Sequence, residues 1–180
     1  MAWRFESARL AVAPAGEADL PAMLDVYRTN AALLALTEAG GGRYALEDVG
    51  RHLAEARARA GRCHLLAVRS RASAAVVAVA EVLEENPGDG LPWIGLLMVH
   101  GEHRRAGLGR ELAEALMAEG VSRLGWRRVR LVVQEDNALG MAFWPALGFA
   151  PVERLERDYP AGRLGLWRME RQLAPGAVTA

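Results

Sequence analysis

Val99–Leu112 reads VHGEHRRAGLGREL. Two arginines and two glycines share a short turn, directly after an apolar run and directly before an amphipathic one. Gly107 and Gly109 flank Leu108. Without Cβ atoms they let the backbone approach a ligand closely and turn N–H groups outward. The start of a helix leaves donors unpaired, and its dipole adds partial positive charge. Arg104 and Arg105 add full charges. The sum describes an anion site built mostly from main chain, with phosphate the natural occupant. The same letters also fit a plain glycine-containing loop with solvated arginines, and this stretch alone does not separate the two. A P-loop is excluded, because its Gly-Lys pair needs a lysine and all 22 basic residues are arginine. A dinucleotide fingerprint is excluded by the missing third glycine.

Working outward, PWIGLLMV (Pro92–Val99) is apolar at nearly every place, which predicts a strand buried on both faces. After the turn, Leu108, Leu112, Ala115 and Leu116 make a helical stripe that ends near Gly125. WRRVRLVVQE reads as a strand and NALGMAFWPALG as a short helix. FAPVERLE and RLGLWRMERQL read as the last two strands. Upstream, ARLAVAPA is a first strand. Two helices follow, one with Leu20, Met23, Leu24 and Tyr27 on one face, the other with Val49, Leu53 and Ala56 inward. EAGGGRY is the loop between them. CHLLAVRS and AAVVAVAEVLEEN form a hairpin, and PGDG a turn. A strand feeding a helix and then another strand implies a parallel neighbour. The expected fold is therefore α/β: one mixed, mostly antiparallel sheet with helices on both faces. It is expected as a single domain over 1–180, with its core at about 8–173.

The totals bound the function. The chain has 180 residues, and 22 basic residues balance 22 acidic ones. That argues against a nucleic-acid binder, which shows a basic excess. Arginine without lysine, with abundant Ala and Gly, fits the codon usage of a GC-rich bacterial genome. A lone cysteine, Cys63, forms no internal disulfide and fits a reducing cytoplasm; it reads as a packed thiol rather than a nucleophile. The N-terminus lacks the apolar core of a signal peptide, and no apolar run is long enough to span a bilayer. A cytoplasmic protein without membrane or nucleic-acid partners, monomeric or homodimeric, is expected. His52, His64, His100 and His103 have no metal-ligand spacing, so no metal is expected.

VHGEHRRAGLG resembles the acyl-CoA-binding motif of the GCN5-related N-acetyltransferase superfamily: an apolar strand, Arg or Gln, two residues, Gly, one residue, Gly or Ala, then a helix. NALGMAFWPALGF (Asn137–Phe149) resembles the same family's later motif at Asn137, Ala142, Phe143, Leu147, Gly148 and Phe149. The two blocks stand in the family's order, separated by one helix and one strand. The resemblance implies that the fold is acyl-CoA N-acyltransferase-like, with a splayed parallel strand pair at the cofactor site, and that the anion is the pyrophosphate of coenzyme A. It implies acetyl-CoA bound by the turn Arg104, Arg105, Ala106, Gly107, Leu108, Gly109 and Arg110. The pantetheine arm would lie along Leu97, Met98 and Val99, with Asn137, Phe143 and Trp144 beside it. The implied activity is direct acetyl transfer to the primary amine of a small molecule, in a ternary complex. A non-catalytic acyl-CoA sensor and an acetyltransferase of protein N-termini or lysines are the alternatives.

Acetyl transfer needs a neutral amine, a polarised thioester carbonyl and a proton for the departing thiol. Main-chain N–H groups near Met98 and Val99 supply the polarisation by resemblance. The family's acid is often a Tyr after the Phe of the second block, and that position is Trp144, whose indole is no acid. Tyr159 is the substitute, in a loop where it is equally a surface residue. Many members carry a base carboxylate four residues before the Val of the acyl-CoA strand, and that position is Gly95. Glu81 stands in an apolar run on the neighbouring strand. It is either an outward-facing strand residue or a half-buried base with a pKa raised by burial, sharing a face with Val77 and Val79. His100, ending the acyl-CoA strand, is either a second base or a solvated loop residue. In EAGGGRY, Arg43 and Tyr44 either contact an acceptor or belong to a solvated loop.

Overall fold

Eight strands form one sheet in the order β1-β2-β3-β4-β5-β6-β8-β7. They are β1 (Phe5–Glu6), β2 (Leu10–Pro14), β3 (Cys63–Ser70), β4 (Val76–Leu83), β5 (Trp93–Val99), β6 (Arg128–Gln134), β7 (Ala150–Tyr159) and β8 (Gly162–Gln172). The helices are α1 (Leu20–Thr29), α2 (Ala31–Leu34), α3 (Leu46–Ala58), α4 (Leu108–Leu124) and α5 (Ala138–Phe143). The computed structural model describes residues 3–34, 43–59, 62–159 and 162–174. Residues 38–42 of the expected acceptor loop and the tail beyond 174 lie outside them.

Helices cover both faces. On one, Met23, Val26 and Tyr27 of α1 and Val49 and Leu53 of α3 pack on Leu65, Ala67 and Val79. On the other, Leu112, Ala113 and Leu116 of α4 pack on Ala80, Val82, Ile94 and Leu131. A glycine inside α4 would ordinarily weaken it. Gly120 stands there for a reason: a Cβ would collide with the Trp126 ring, which lies against the helix. Gly125, at φ 67°, closes α4 in the left-handed conformation that favours glycine.

All strand pairs are antiparallel except β5–β6, which is parallel and registers only at Trp93↔Arg130. β4 holds β5 from Leu83↔Trp93 to Ala78↔Val99. The sheet therefore splits between β5 and β6 and leaves a wedge, as the resemblance implies. Three sequence expectations change here. β5 is not buried on both faces: Gly95 is exposed and Leu96, Leu97 and Val99 are partly so, because the wedge removes their neighbour. Val77 does not share a face with Glu81. A bulge in the β3–β4 ladder skips it and turns it into the α4-side core, while Val79 stays on the α1/α3 side. Finally, a short β1 pairs with β2 ahead of the first expected strand.

Candidate active site

The turn after β5 is built from its ends inward. The His100 N–H donates to the Val77 carbonyl at 2.9 Å, continuing the β4–β5 ladder by one step. A 3-10 turn, Gly101–His103, follows. Arg105 (φ 62°) and Gly107 (φ 78°) then carry the chain into α4 through left-handed conformations. Gly107 caps α4 without a side chain, and the first helical bond runs from the Glu111 N–H to the Gly107 carbonyl at 3.1 Å. The N–H groups of Leu108, Gly109 and Arg110 thus have no acceptor within the helix. A Cβ at Gly109 would rest 3.6 Å from the Phe143 ring and from Val99, so this position seats the helix start on both.

The arginines divide the work differently from the sequence expectation. The Arg104 guanidinium turns away from the helix start and donates to the Thr29 carbonyl at 2.5 Å and to Asn30 Oδ1 at 2.8 Å. It ties the turn to the end of α1, where the Asn30 amide in turn donates to the Val99 carbonyl at 3.2 Å. On the other side Arg9, far away in sequence, donates to the Ala106 carbonyl at 2.8 Å and pairs with Glu111 at 2.6 Å. Arg110 donates to the Ala146 carbonyl at 3.1 Å and to Glu114 at 3.3 Å. Arg105 is exposed beside these anchors.

The wedge opens into a cleft of about 520 Å³. Leu97 lines it from β5, Trp144 and Asn137 from the segment after β6, and Tyr159 from β7. The His100 bond to Val77 sets the alternation of the β4–β5 ladder. Every second residue back along β5, Met98 and then Leu96, also faces β4 with its main chain. The main-chain groups of Leu97 and Val99 face the wedge instead. This corrects the expectation for Met98, whose side chain is buried against α1 and α3.

Glu81 enters the same cleft, on the α1/α3 side. A second bulge, in β5, leaves Gly95 unpaired between Glu81↔Leu96 and Val82↔Ile94. A Cβ on Gly95 would collide with the Glu81 Oε1 atom. The Glu81 carboxylate therefore fills the space that a side chain at position 95 would occupy. Its other oxygen meets His52 Nε2 at 2.8 Å, and His52 Nδ1 meets the buried Tyr27 hydroxyl at 2.6 Å. Arg59 stands 3.9 Å from Oε1. Burial pushes the carboxyl pKa up, but the hydrogen bond and charge of His52, with Arg59 and the Cys63 thiol behind, outweigh it and hold Glu81 below the ordinary carboxylate range. The expectation of a raised pKa is overturned because burial came with partners. The same surroundings push the Cys63 thiol up to about 11, through burial first and the Glu81 charge second.

Other expected residues fall as follows. Tyr159 ends strand β7, paired with Gly162, and is not in a loop. His100 folds onto its own turn, where Nδ1 accepts from the Glu102 N–H at 3.3 Å, and does not line the cleft. Asn137 caps α5, its Oδ1 accepting from the Gly140 N–H at 3.0 Å. Trp144 is buried between Phe143 and Phe149, with ring centroids at 4.8 and 5.2 Å. Tyr44 packs edge-on against Tyr27 at 5.4 Å, while Arg43 is exposed. Among the described residues, no group of three His, Cys, Asp or Glu side chains is placed to hold a metal ion.

Residues 23–149 match the family model described as the acetyltransferase (GNAT) family. The chain belongs to the GNAT acetyltransferase family. No curated protein matches its sequence. Among solved structures, an acetyltransferase from Thermus thermophilus is 25% identical, with 94% of this chain and 100% of that one covered at a TM-score of 0.71. RimL, a ribosomal L7/L12 α-N-protein acetyltransferase, in complex with coenzyme A, is 15% identical over 94% and 97%, at 0.78. A chimera of the spermidine N-acetyltransferase SpeG from Vibrio cholerae and hSSAT is 14% identical over 92% and 96%, at 0.73. The last two show the shared fold.

Tyr27, His52, Arg59 and Arg9 are the residues of this candidate site that sequence reasoning missed. One signal for His52 was available. It lies three residues after Val49, beside the buried stripe of α3, where a polar side chain needs a partner. Nothing local pointed from it to Glu81, 29 residues on.

Proposed function

We propose that this GNAT protein is an acetyl-CoA-dependent N-acetyltransferase that acetylates a primary amine of a small molecule by direct transfer. The observation that carries the reading is the Glu81 carboxylate, set over Gly95 in the wedge and backed by His52 and Tyr27. The residues fit the co-substrate: unpaired N–H groups at Leu108, Gly109 and Arg110, with Arg105 beside them, suit a pyrophosphate, and the free edge of β5 suits an extended amide chain. Acetyl-CoA supplies the activated acetyl group as a thioester. The N–H groups of Leu97 and Val99 face the wedge and polarise a carbonyl placed there.

Glu81 draws the amine by charge and accepts its proton, directly or through one water. Its low pKa keeps it ionised at neutral pH, and His52 stabilises it from behind. Tyr159, which ends β7 and lines the same cleft, is the phenol assigned to protonate the departing sulfur, because Trp144 has no acidic proton to give. Cys63 is no acyl carrier, since a buried thiol with a pKa near 11 holds almost no thiolate at neutral pH. A relay aimed into the cleft is also more than an acyl-CoA sensor requires, and the cleft volume falls in the range of small-molecule sites.

The test is CoA release from acetyl-CoA against a panel of primary amines, followed by initial-velocity analysis. Intersecting double-reciprocal lines support direct transfer. Parallel lines would require an acylated enzyme and sink that mechanism. Tight acetyl-CoA binding without CoA release for any amine would favour the sensor.

A further inference from the structure

Resting on the acetyltransferase reading, the geometry points to a more specific acceptor. We propose that the acceptor is an amine that also carries a distant anionic group, held with its amine at Glu81 and its anion at Arg168 and Arg157.

The Glu81 side of β4 is the α1/α3 side, and Trp93, at the other end of β5, packs into the same core. Val132 of β6 also packs there, and it registers with Arg168 of β8. Arg168 registers in turn with Glu153 of β7, and Arg157 lies four residues further along that strand. Side chains two or four apart on a strand, or directly opposite on its neighbour, share a face. Glu81, Trp93, Arg168 and Arg157 are thus on one face of one sheet, and all four line the one cleft. Among the described residues, α1 and α3 pack chiefly on β3, β4 and β5. Beyond those strands, Arg157 is exposed and Arg168 partly so.

The charges there are unevenly satisfied. Asp89 is already engaged, by Arg130 at 3.0 Å and by the Trp93 indole N–H at 3.1 Å. Glu153 takes one amino group of Arg168 in a close ion pair. The Arg168 Nε remains buried with no hydrogen-bond partner among the described residues. That atom has essentially no accessible surface, so a ligand in the cleft meets the rest of the guanidinium, on a side chain that is 26% exposed and lines the cleft. The Arg168 guanidinium also stands over the Trp93 ring, 5.8 Å from its centroid, which holds its plane at the cleft wall. Arg157 is exposed and makes no ion pair among the described residues. The cleft thus offers the Glu81 carboxylate, flanked by Arg59, at the wedge, and the Arg168 and Arg157 guanidiniums beyond it.

Distance defines the acceptor further. Glu81 on β4 and Arg168 on β8 are three strand steps apart, about 14 Å across the sheet, and Arg157 lies about 13 Å along β7 from Glu153, the partner of Arg168. The amine and the anion of the acceptor are therefore several bonds apart, as in a short peptide or an amino-sugar phosphate. A linear polyamine would bring a second ammonium against Arg157 and Arg168 and is disfavoured by like charge.

The experiment uses the full chain and matched acceptors: triglycine against triglycinamide, glucosamine 6-phosphate against glucosamine, and spermidine. In at least one pair, the anionic member is expected to have a kcat/KM about 10-fold or more above its neutral counterpart, mainly through KM, as loss of a charged hydrogen bond would cost. The pair that shows the ratio distinguishes carboxylate from phosphate. Arg157→Gln and Arg168→Gln should each shrink that ratio, and the exposed Arg157 variant decides the matter if Arg168→Gln does not fold. Turnover of neutral amines or spermidine at least as fast as of the anionic members overturns this inference and leaves the acetyltransferase reading standing. So does a ratio that survives in Arg157→Gln. Absence of CoA release with every acceptor, while acetyl-CoA binds, sinks the acetyltransferase reading and this one with it.

Discussion

The turn at Arg104–Gly109, between the end of β5 and α4, and the carboxylate chain Tyr27–His52–Glu81, which ends in the cleft, are assembled in opposite ways. The turn is local. Its donors are main-chain N–H groups of consecutive residues, aimed by two left-handed residues and the start of a 17-residue helix. The carboxylate chain joins a helix, a second helix and a strand, with partners 25 and 29 residues apart. A local site tolerates changes in its side chains as long as the backbone path is kept. A distributed site depends on every packing contact that holds its three elements together.

The largest effect on that contrast is expected from Gly107→Glu. It places a side chain at a left-handed backbone position and a negative charge in the path proposed for the phosphates. Acetyl-CoA affinity, measured by calorimetry, is expected to fall about 100-fold or more, at the cost of a like-charge contact and lost N–H access. Affinity equal to that of the parent would remove the turn from the site.

Glu81→Gln tests the other side. Acetyl-CoA affinity should stay within about 3-fold, since the carboxylate lies away from the turn, while turnover falls about 100-fold, the usual scale for a general base. Removing His52 as His52→Phe separates positioning from catalysis. The hydrogen bond and charge that depress the Glu81 pKa are lost and burial remains, so that pKa must rise. The acid limb of kcat/KM should then move to higher pH. An unmoved limb, with folding intact, would mean that Glu81 is not the group that titrates.

The depressed Glu81 pKa also carries a stability term. The folded value lies below the unfolded one, 4.5, so this contribution is present above about pH 4.5 and is lost as pH falls through the folded value. In Glu81→Gln, the melting temperature should vary less between pH 5 and pH 3 than in the parent.

The smallest expected effect reads the same electrostatics through Cys63. With the thiol pKa raised to about 11, alkylation of the native protein at pH 8 should be about 100-fold slower than in urea. In Glu81→Gln the charge contribution disappears and the thiol should become modestly more reactive. No change in rate would show that burial alone protects it.

Most of the element order, the strand–helix–strand run behind the parallel β5–β6 pair and the glycine turn before α4 were legible in the chain alone, because each is marked by residues that are near neighbours along it. Hydrophobic period marks a strand or helix over a few residues. Gly107 and Gly125 mark left-handed positions that few other residues adopt. Where the charges went was settled only by folding. Arg104 bonds to the end of α1 rather than standing free, because Thr29 and Asn30 come within reach only then. Val77 changed faces because a bulge, which has no local signature in an all-apolar run, shifted the period of β4. The pKa of Glu81 moved down rather than up because its sign is set by what surrounds the carboxyl. His52 and Arg59 lie far from it along the chain and reach it only through the packing of α3 on the sheet. Burial can be guessed from an apolar run; the partners that outweigh it are matters of distance in space, and Coulomb and hydrogen-bond energies follow that distance rather than separation along the chain.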